Sequence, residues 1–258
     1  MAPDKSIIVE RDNGVAIVTL NRNERLNALD LEMRKALSGA FRELSVDPEI
    51  RAIVITGGDA VFAAGADLKI LADKTPTQVR HLGFPNLWRP IAECPKPVIA
   101  AVSGYALGAG CELAMMCDII IADPTARFGQ PEVRVGIMPG AGGSQRLVRI
   151  LGKHVASLML MTGETISGDR ASQIGMVSEL VDPGEAITRA RTVAQKIARM
   201  PPLAIAAIKR SLAAGADIPL PAALALEHRE FLQLFGTADQ KEGMLAFLEK
   251  RPSQFSGR

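Results

Sequence analysis

Glu112 and Glu132 stand in the most glycine-dense part of the chain, and two carboxylates meeting on one water can divide the work of general acid and general base. Eight of the 23 glycines fall between Gly104 and Gly143, a density that implies close approach of the backbone to a ligand. Two segments share one design. Phe62-Ala-Ala-Gly-Ala-Asp-Leu68 follows a strand pattern and enters a predicted helix start, and Gly104-Tyr-Ala-Leu-Gly-Ala-Gly-Cys-Glu-Leu113 does the same after the next strand. A helix start offers unpaired N–H groups and the positive end of the macrodipole, so the amides of Ala66 and Ala109 are candidates for an oxyanion hole. Pro131 restricts the backbone beside Glu132, which suits a carboxylate held in one place, and a neighbouring carboxylate or burial would lift its pKa toward neutrality.

Each feature also has a plainer reading. Glu112 alone is a first-turn carboxylate complementing a helix dipole, Glu132 alone is a surface charge, and residues 62–68 are a tight strand-to-helix turn. Other chemistries lack their residues. His81, His154 and His228 are scattered through predicted helices with no HExxH or Cys/His cluster, so no metal site is expected. His228 shares a predicted helix face with Leu224 and Phe231 and reads as a core or interface histidine. Ser103 and Ser144 lie in no G-x-S-x-G elbow, and no G-x-x-x-x-G-K-[ST] loop occurs. Gly108-x-Gly110-x-x-Leu113 lacks the third glycine of a dinucleotide fingerprint.

The elements that must position these residues are short and mixed. Ile7 to Glu10 and Val15 to Leu20, joined through Asp12-Asn13-Gly14, predict a hairpin. Asp30 predicts an N-cap for a helix over 31–44, with Met33, Leu37, Ala40, Phe41 and Leu44 at helical spacing. Strands are predicted at 52–56, 98–102 and 119–122, with short helices between them, giving a mixed α/β core of strand, strand, helix units. From about Gly184 the pattern is helical only. Residues 1–183 are therefore read as a core domain carrying the site, and 184–258 as a helical region suited to cover or oligomerisation.

Composition narrows the setting. Aromatics are only 4% against 48% apolar residues, so the interior must be built from aliphatic side chains and Met. A formal charge of +2 gives no basic footprint for nucleic acid, and no apolar run is long enough for a membrane span. The three cysteines, Cys94, Cys111 and Cys117, form no CxxC pair, and the first residues carry no basic and apolar leader pattern, so the cytoplasm is the expected compartment.

Three segments together resemble the enoyl-CoA hydratase/isomerase, or crotonase, family: residues 62–68, Lys96 to Asp118 and Phe128 to Arg146. The similarity runs essentially end to end and closes with Glu242-Gly-Met-x-Ala-Phe-x-x-Lys-Arg251. Glutamate at both 112 and 132 resembles the hydratases of the family. The resemblance implies a β-β-α spiral core, a helical C-terminal region that builds homotrimers or dimers of trimers, and an acyl-CoA thioester substrate, with no cofactor beyond the coenzyme A of the substrate itself. It implies that Ala66 and Ala109 supply the oxyanion amides, that Glu112 and Glu132 bind the water, and that Gly140 helps place it. Arg25, Leu26, Ala28, Ala64, Ala66, Asp67 and Leu68 would line the coenzyme A, with Phe247 and Lys250 reaching a neighbouring subunit's. The acyl pocket would fall within residues 69–93, including Leu87 and Trp88. Ala109 departs from the glycine of many members, and Ser103 from a common asparagine. Relatives acting on dehydroadipyl-CoA would need a basic partner such as Arg80, His81 or Arg89. A double-bond isomerase and a noncatalytic acyl-CoA or RNA-binding assembly protein are the rival expectations.

Overall fold

The computed structural model describes residues 6–258; residues 1–5, within the stretch searched for a leader, lie outside the described residues. Two sheets organise the chain. The larger runs β1-β2-β3-β5-β7-β10, where β1 (Ile7–Asp12) pairs antiparallel with β2 (Val15–Leu20) and the remaining pairings are parallel: β3 (Ala52–Thr56), β5 (Val98–Val102), β7 (Ile119–Ala122) and β10 (Glu179–Leu180). The smaller runs β4-β6-β8-β9, from β4 (Val61–Ala63), β6 (Tyr105–Leu107), β8 (Arg127–Gly129) and the antiparallel β9 (Thr165–Ser167). The pairs β3–β4, β5–β6 and β7–β8 each lay one strand in the larger sheet and the next in the smaller, and each pair is followed by helix. This is the β-β-α spiral.

Period-two alternation sorts the large sheet's side chains onto two faces. Val15, Ile17, Ala52, Val54, Ile99 and Ala101 face helix α7 (Ala186–Ala198), while Ala16, Val18, Leu20, Ile53, Ile55, Val98 and Ala100 join the main core. That core is shared with α1 (Leu31–Val46), α3 (Phe84–Ala92) and α4 (Ala109–Met116). Asp30 caps α1 by accepting from the Met33 amide, as expected. Helix α7 meets the sheet through Ala186, Ala190, Ala194 and Ala198, all buried at i+4 spacing. Residues 184–258 therefore begin with a helix that covers a sheet face, and the helices beyond it are α8 (Pro202–Gly215), α9 (Leu220–Leu234) and α10 (Ala238–Leu248). Lys209 of α8 anchors that group by pairing with Asp118 at 2.6 Å and donating to the Lys96 carbonyl at 2.9 Å.

A buried asparagine fixes the loop before α1. Asn27 is fully buried with φ +51, accepts from the Arg22 amide at 2.8 Å, and directs Nδ2 at the carbonyls of Gly57, Val61 and Phe62 at 3.0–3.2 Å. Asparagine tolerates this backbone region, and its amide satisfies groups that would otherwise be orphaned. Asn27→Ala is expected to lower stability by about 3 kcal/mol, since it strands several buried polar groups at a left-handed position. Urea denaturation midpoints check this.

Candidate active site

Glu112 lies in the first turn of α4, whose eight residues are all buried. Its neighbour in space is the start of a second helix, α5 (Gly143–Thr162), which breaks at Gly152. Oε1 of Glu112 accepts from the Ala141 amide at 2.7 Å and from the Gly143 amide at 2.8 Å, so the α5 N-terminus holds the carboxylate through its unpaired N–H groups. Burial pushes the Glu112 pKa up, and those two amides with Arg34 and Arg146 pull against it.

Glu132 arrives from the other side. It belongs to a 3-10 turn, Pro131–Val135, that follows β8, and its side chain rests against Gly108. A Cβ on Gly108 would lie 2.8 Å from Glu132 Oε1, and Gly108 has φ +50, so glycine here is what admits the carboxylate beside the α4 N-terminus. Burial pushes the Glu132 pKa up to about 7, and the Glu112 charge adds to that rise against a bond from the backbone of Glu132 itself. The two glutamates thus differ in kind. Glu112 is enclosed and held by amides, whereas Glu132 is half-buried and poised near neutrality.

The two candidate amides come together across Gly65. Leu29 N donates to the Gly65 carbonyl at 2.8 Å and Ala64 N to the Leu26 carbonyl at 3.0 Å, which binds the 62–68 loop to the segment before α1. Gly65 has φ +113, and a Cβ there would sit 3.0 Å from the Leu107 carbonyl oxygen and 4.0 Å from Ala109 N. On the helix side, Gly110 packs so closely that a Cβ would fall 2.2 Å from the Ala63 carbonyl oxygen. Among the described residues, neither Ala66 N nor Ala109 N donates a hydrogen bond. Two free donors therefore border the carboxylate pair.

The comparisons with known proteins agree along the whole chain. The family model of Enoyl-CoA hydratase/isomerase matches residues 10–258. The chain belongs to the enoyl-CoA hydratase/isomerase family. It is 46% identical over 254 residues to a probable enoyl-CoA hydratase of Mycobacterium tuberculosis, covering 98% of this chain and 99% of that one. It is 44% identical to a 2,3-dehydroadipyl-CoA hydratase of Escherichia coli, covering 98% and 99%, and 41% identical to a short-chain-enoyl-CoA hydratase of Clostridium acetobutylicum, covering 95% of each. Its fold is similar to that of an enoyl-CoA hydratase subunit from Geobacillus kaustophilus, with a TM-score of 0.95, 40% identity and 98% of both chains covered. The spiral core is thus the fold of the hydratases in this family.

Leu26 is tied to the 62–68 loop through its carbonyl, and Ala28 stands beside Leu29, which makes the other bond to that loop; Arg25 is exposed beside them, Asp67 caps its own short turn at the Lys69 amide, and Leu68 is exposed. Gly140 lies next to Ala141 in the loop that reaches Glu112, and open space surrounds the position of a Cβ there. Phe247 and Lys250 stand at the end of α10; Phe247 is 83% exposed, and no hydrogen bond or ion pair among the described residues joins either to the glutamates. Leu87 is half-buried and Trp88 buried, both on α3. Arg80 and His81 are exposed at the end of α2 (Pro76–His81), and Arg89 is exposed and paired with Glu93.

Sequence reasoning passed over three residues that the fold brings here. Arg34 is 4% exposed, acts on Glu112, and lies with its guanidinium carbon 4.2 Å from the Phe84 ring centre and 4.8 Å from that of Trp88. A signal existed, because Arg34 is in helical phase with Leu37 and Phe41 and so places a charge on the buried stripe. Arg146, in the first turn of α5, likewise acts on Glu112, and its Nε is buried without a partner. Gln130 is fully buried, and the orientation of its amide that satisfies its surroundings donates to both Glu132 oxygens at 3.1 Å.

Proposed function

We propose that the protein is an enoyl-CoA hydratase that adds water reversibly and syn across a trans-2-enoyl-CoA, giving the 3-hydroxyacyl-CoA. The observation that carries the reading is the pair of free amides at Ala66 and Ala109 beside two glutamates in unlike surroundings, Glu112 held by two backbone amides and Glu132 half-buried beside Gly108. The thioester carbonyl oxygen would accept from both amides, with the dipole of α4 adding to them, so the charge of the enolate-like transition state is stabilised where it develops. Each such donor contributes about 10² to 10³ in rate.

The proton work follows from the environments of the carboxylates. Glu112, held by two amides and facing Arg34 and Arg146, is the ionised partner that orients water and takes its proton as oxygen bonds to C3. Glu132, with a pKa near 7, carries the proton that goes to C2. A return transfer between the carboxylates resets the pair. Addition is syn because both groups approach one face of the double bond. The steps call on no metal or redox cofactor, and Gly140 is assigned a share in placing the water through its neighbour Ala141.

The pH dependence has a defined sign. The acid form of Glu132 is populated below about 7, so hydration measured as kcat/KM should fall as pH rises through about 7. Dehydration needs the ionised form and should fall as pH drops through the same value. Loss of the enone absorbance of crotonyl-CoA, followed in both directions, checks this. Conversion of a 3-enoyl-CoA to the 2-enoyl-CoA without hydration would instead identify an isomerase. Salt-sensitive RNA binding with no turnover would support the noncatalytic rival.

The assembly is proposed to be a homotrimer or dimer of trimers. Leu220, Leu224, Phe231 and Leu232 of α9, each more than half exposed, support it, as does the position of Phe247. The coenzyme A would lie along Arg25, Leu26, Ala28, Ala64 and the 66–68 turn, completed by Phe247 and Lys250 of a neighbouring subunit. The cytoplasm is the proposed compartment, supported by three unpaired cysteines. Among the described residues no helix is long and apolar enough to cross a membrane.

A further inference from the structure

Among the described residues, the terminal nitrogens of Arg34 and Nε1 of Trp88 have no acceptor to donate to. Each residue is only 4% exposed. Arg34 uses Nε to reach the Leu29 carbonyl at 2.7 Å, and among the described residues Nη1 and Nη2 make no hydrogen bond and no carboxylate pairs with the guanidinium. The Phe84 and Trp88 rings lie close to its central carbon, but rings satisfy the face of a guanidinium and leave the N–H groups at its edge unmet. Trp88 Nε1, on one of those rings, is buried and unpartnered as well. The charge of Glu112 acts on Arg34 without a direct bond, so the terminal nitrogens stay free, and a planar fork with free terminal nitrogens matches a carboxylate in two-point geometry.

The placement links these donors to the reacting atoms. With the thioester oxygen at Ala66 and Ala109 and C3 between the glutamates, as proposed above, an acyl chain that leaves on the Glu112 side runs toward Arg34, whose charge acts on that carboxylate. The charge of Asp30 also reaches Arg34, but its carboxylate is engaged by Arg22 at 2.5 Å and by the Met33 amide. Exposed Arg80, His81 and Arg89 offer no comparable enclosure.

We propose that Arg34, with Trp88 Nε1 beside it, is the specificity determinant for the distal end of the acyl group and receives a terminal carboxylate on a short-chain 2-enoyl-CoA. The inference rests on the acyl-CoA site proposed above and names its substrate class. Phe84 and Trp88 form the apolar wall along which the intervening methylene groups pass.

The test compares two six-carbon trans-2-enoyl-CoA thioesters, one ending in a carboxylate and one in a methyl group. Wild type is expected to favour the carboxylate-ended substrate by about tenfold or more in kcat/KM, largely through KM. In Arg34→Met the ratio should fall to about one. Arg34→Lys, which keeps the charge and loses the fork, should retain part of it, and Trp88→Phe, which removes Nε1 and keeps a ring, should lower it about threefold. A role confined to packing or to the titration of Glu112 would change both substrates together and leave the ratio intact; that result overturns the proposal, as does a wild-type ratio near one. Calorimetric binding of the corresponding saturated acyl-CoA pair supplies the ratio without turnover. A retained binding preference with no hydration of either enoyl-CoA would sink the hydratase reading while supporting this one.

Discussion

Glu132→Gln is expected to lower kcat for crotonyl-CoA hydration by about 10² to 10⁴ with little change in KM, because it removes the group proposed to donate the proton to C2, a role used only in the transition state. The amide is close in shape to the carboxyl group, so the 3-10 turn and its contact with Gly108 should persist. The pH dependence should change too, with the fall in hydration near pH 7 disappearing from the residual rate. A stability effect of opposite sign accompanies the loss. The folded pKa of about 7 lies above the ordinary 4.5, so ionising Glu132 weakens the fold, and the contribution of its proton is full below about 4.5 and lost as pH rises through 7. The variant should therefore melt higher than wild type at pH 8, with the difference shrinking toward pH 4.5. Unaltered turnover in this variant would remove Glu132 from the mechanism. Glu112→Gln should also lose turnover, since the neutral amide is a much weaker acceptor for the water proton.

Gly110→Ala should cost at least about 3 kcal/mol and abolish most activity. The added methyl would meet the Ala63 carbonyl oxygen at 2.2 Å and the Ala63 Cβ at 2.8 Å, and both belong to a buried strand that cannot swing aside. Relief requires α4 to move away from β4. That motion would carry Ala109 N and Glu112 away from the 62–68 loop and the α5 N-terminus, so stability and turnover fall from one cause. Gly140→Ala is the matched control for the fold, because open space surrounds its Cβ position and its stability change should stay within about 0.5 kcal/mol. Denaturant midpoints and turnover of the two variants, measured together, check the pair. Equal stability of both would contradict the packing described.

The parts of this fold legible in the sequence are those with a full period to display. The hairpin, α1 with its Asp30 cap, and strands β3, β5 and β7 each carry an apolar pattern or punctuation long enough to read. The second sheet does not. Strands β4, β6, β8 and β9 have three residues each, too short for alternation to show, and β6 lies inside the glycine-rich stretch that reads as a turn. The glutamates were visible as residues, but the charge on Arg34 that faces one of them depends on α1 and α3 packing together, which no local pattern encodes. Gln130 and Asn27 act through amides aimed at distant backbone or carboxylate groups, and their types alone carry no such information.

Glu112 is gripped by the amides of Ala141 and Gly143, and the free donors nearby are those of Ala66 and Ala109. These groups belong to the main chain, so ordinary substitutions that preserve the chain path leave them in place. Heredity can therefore vary the two halves of this region at different rates: the amide half is copied with the path of the chain, while α1 and α3 contribute side chains that one codon can exchange. A lineage could acquire a new acyl preference at Arg34 or Trp88 without rebuilding the machinery that activates water.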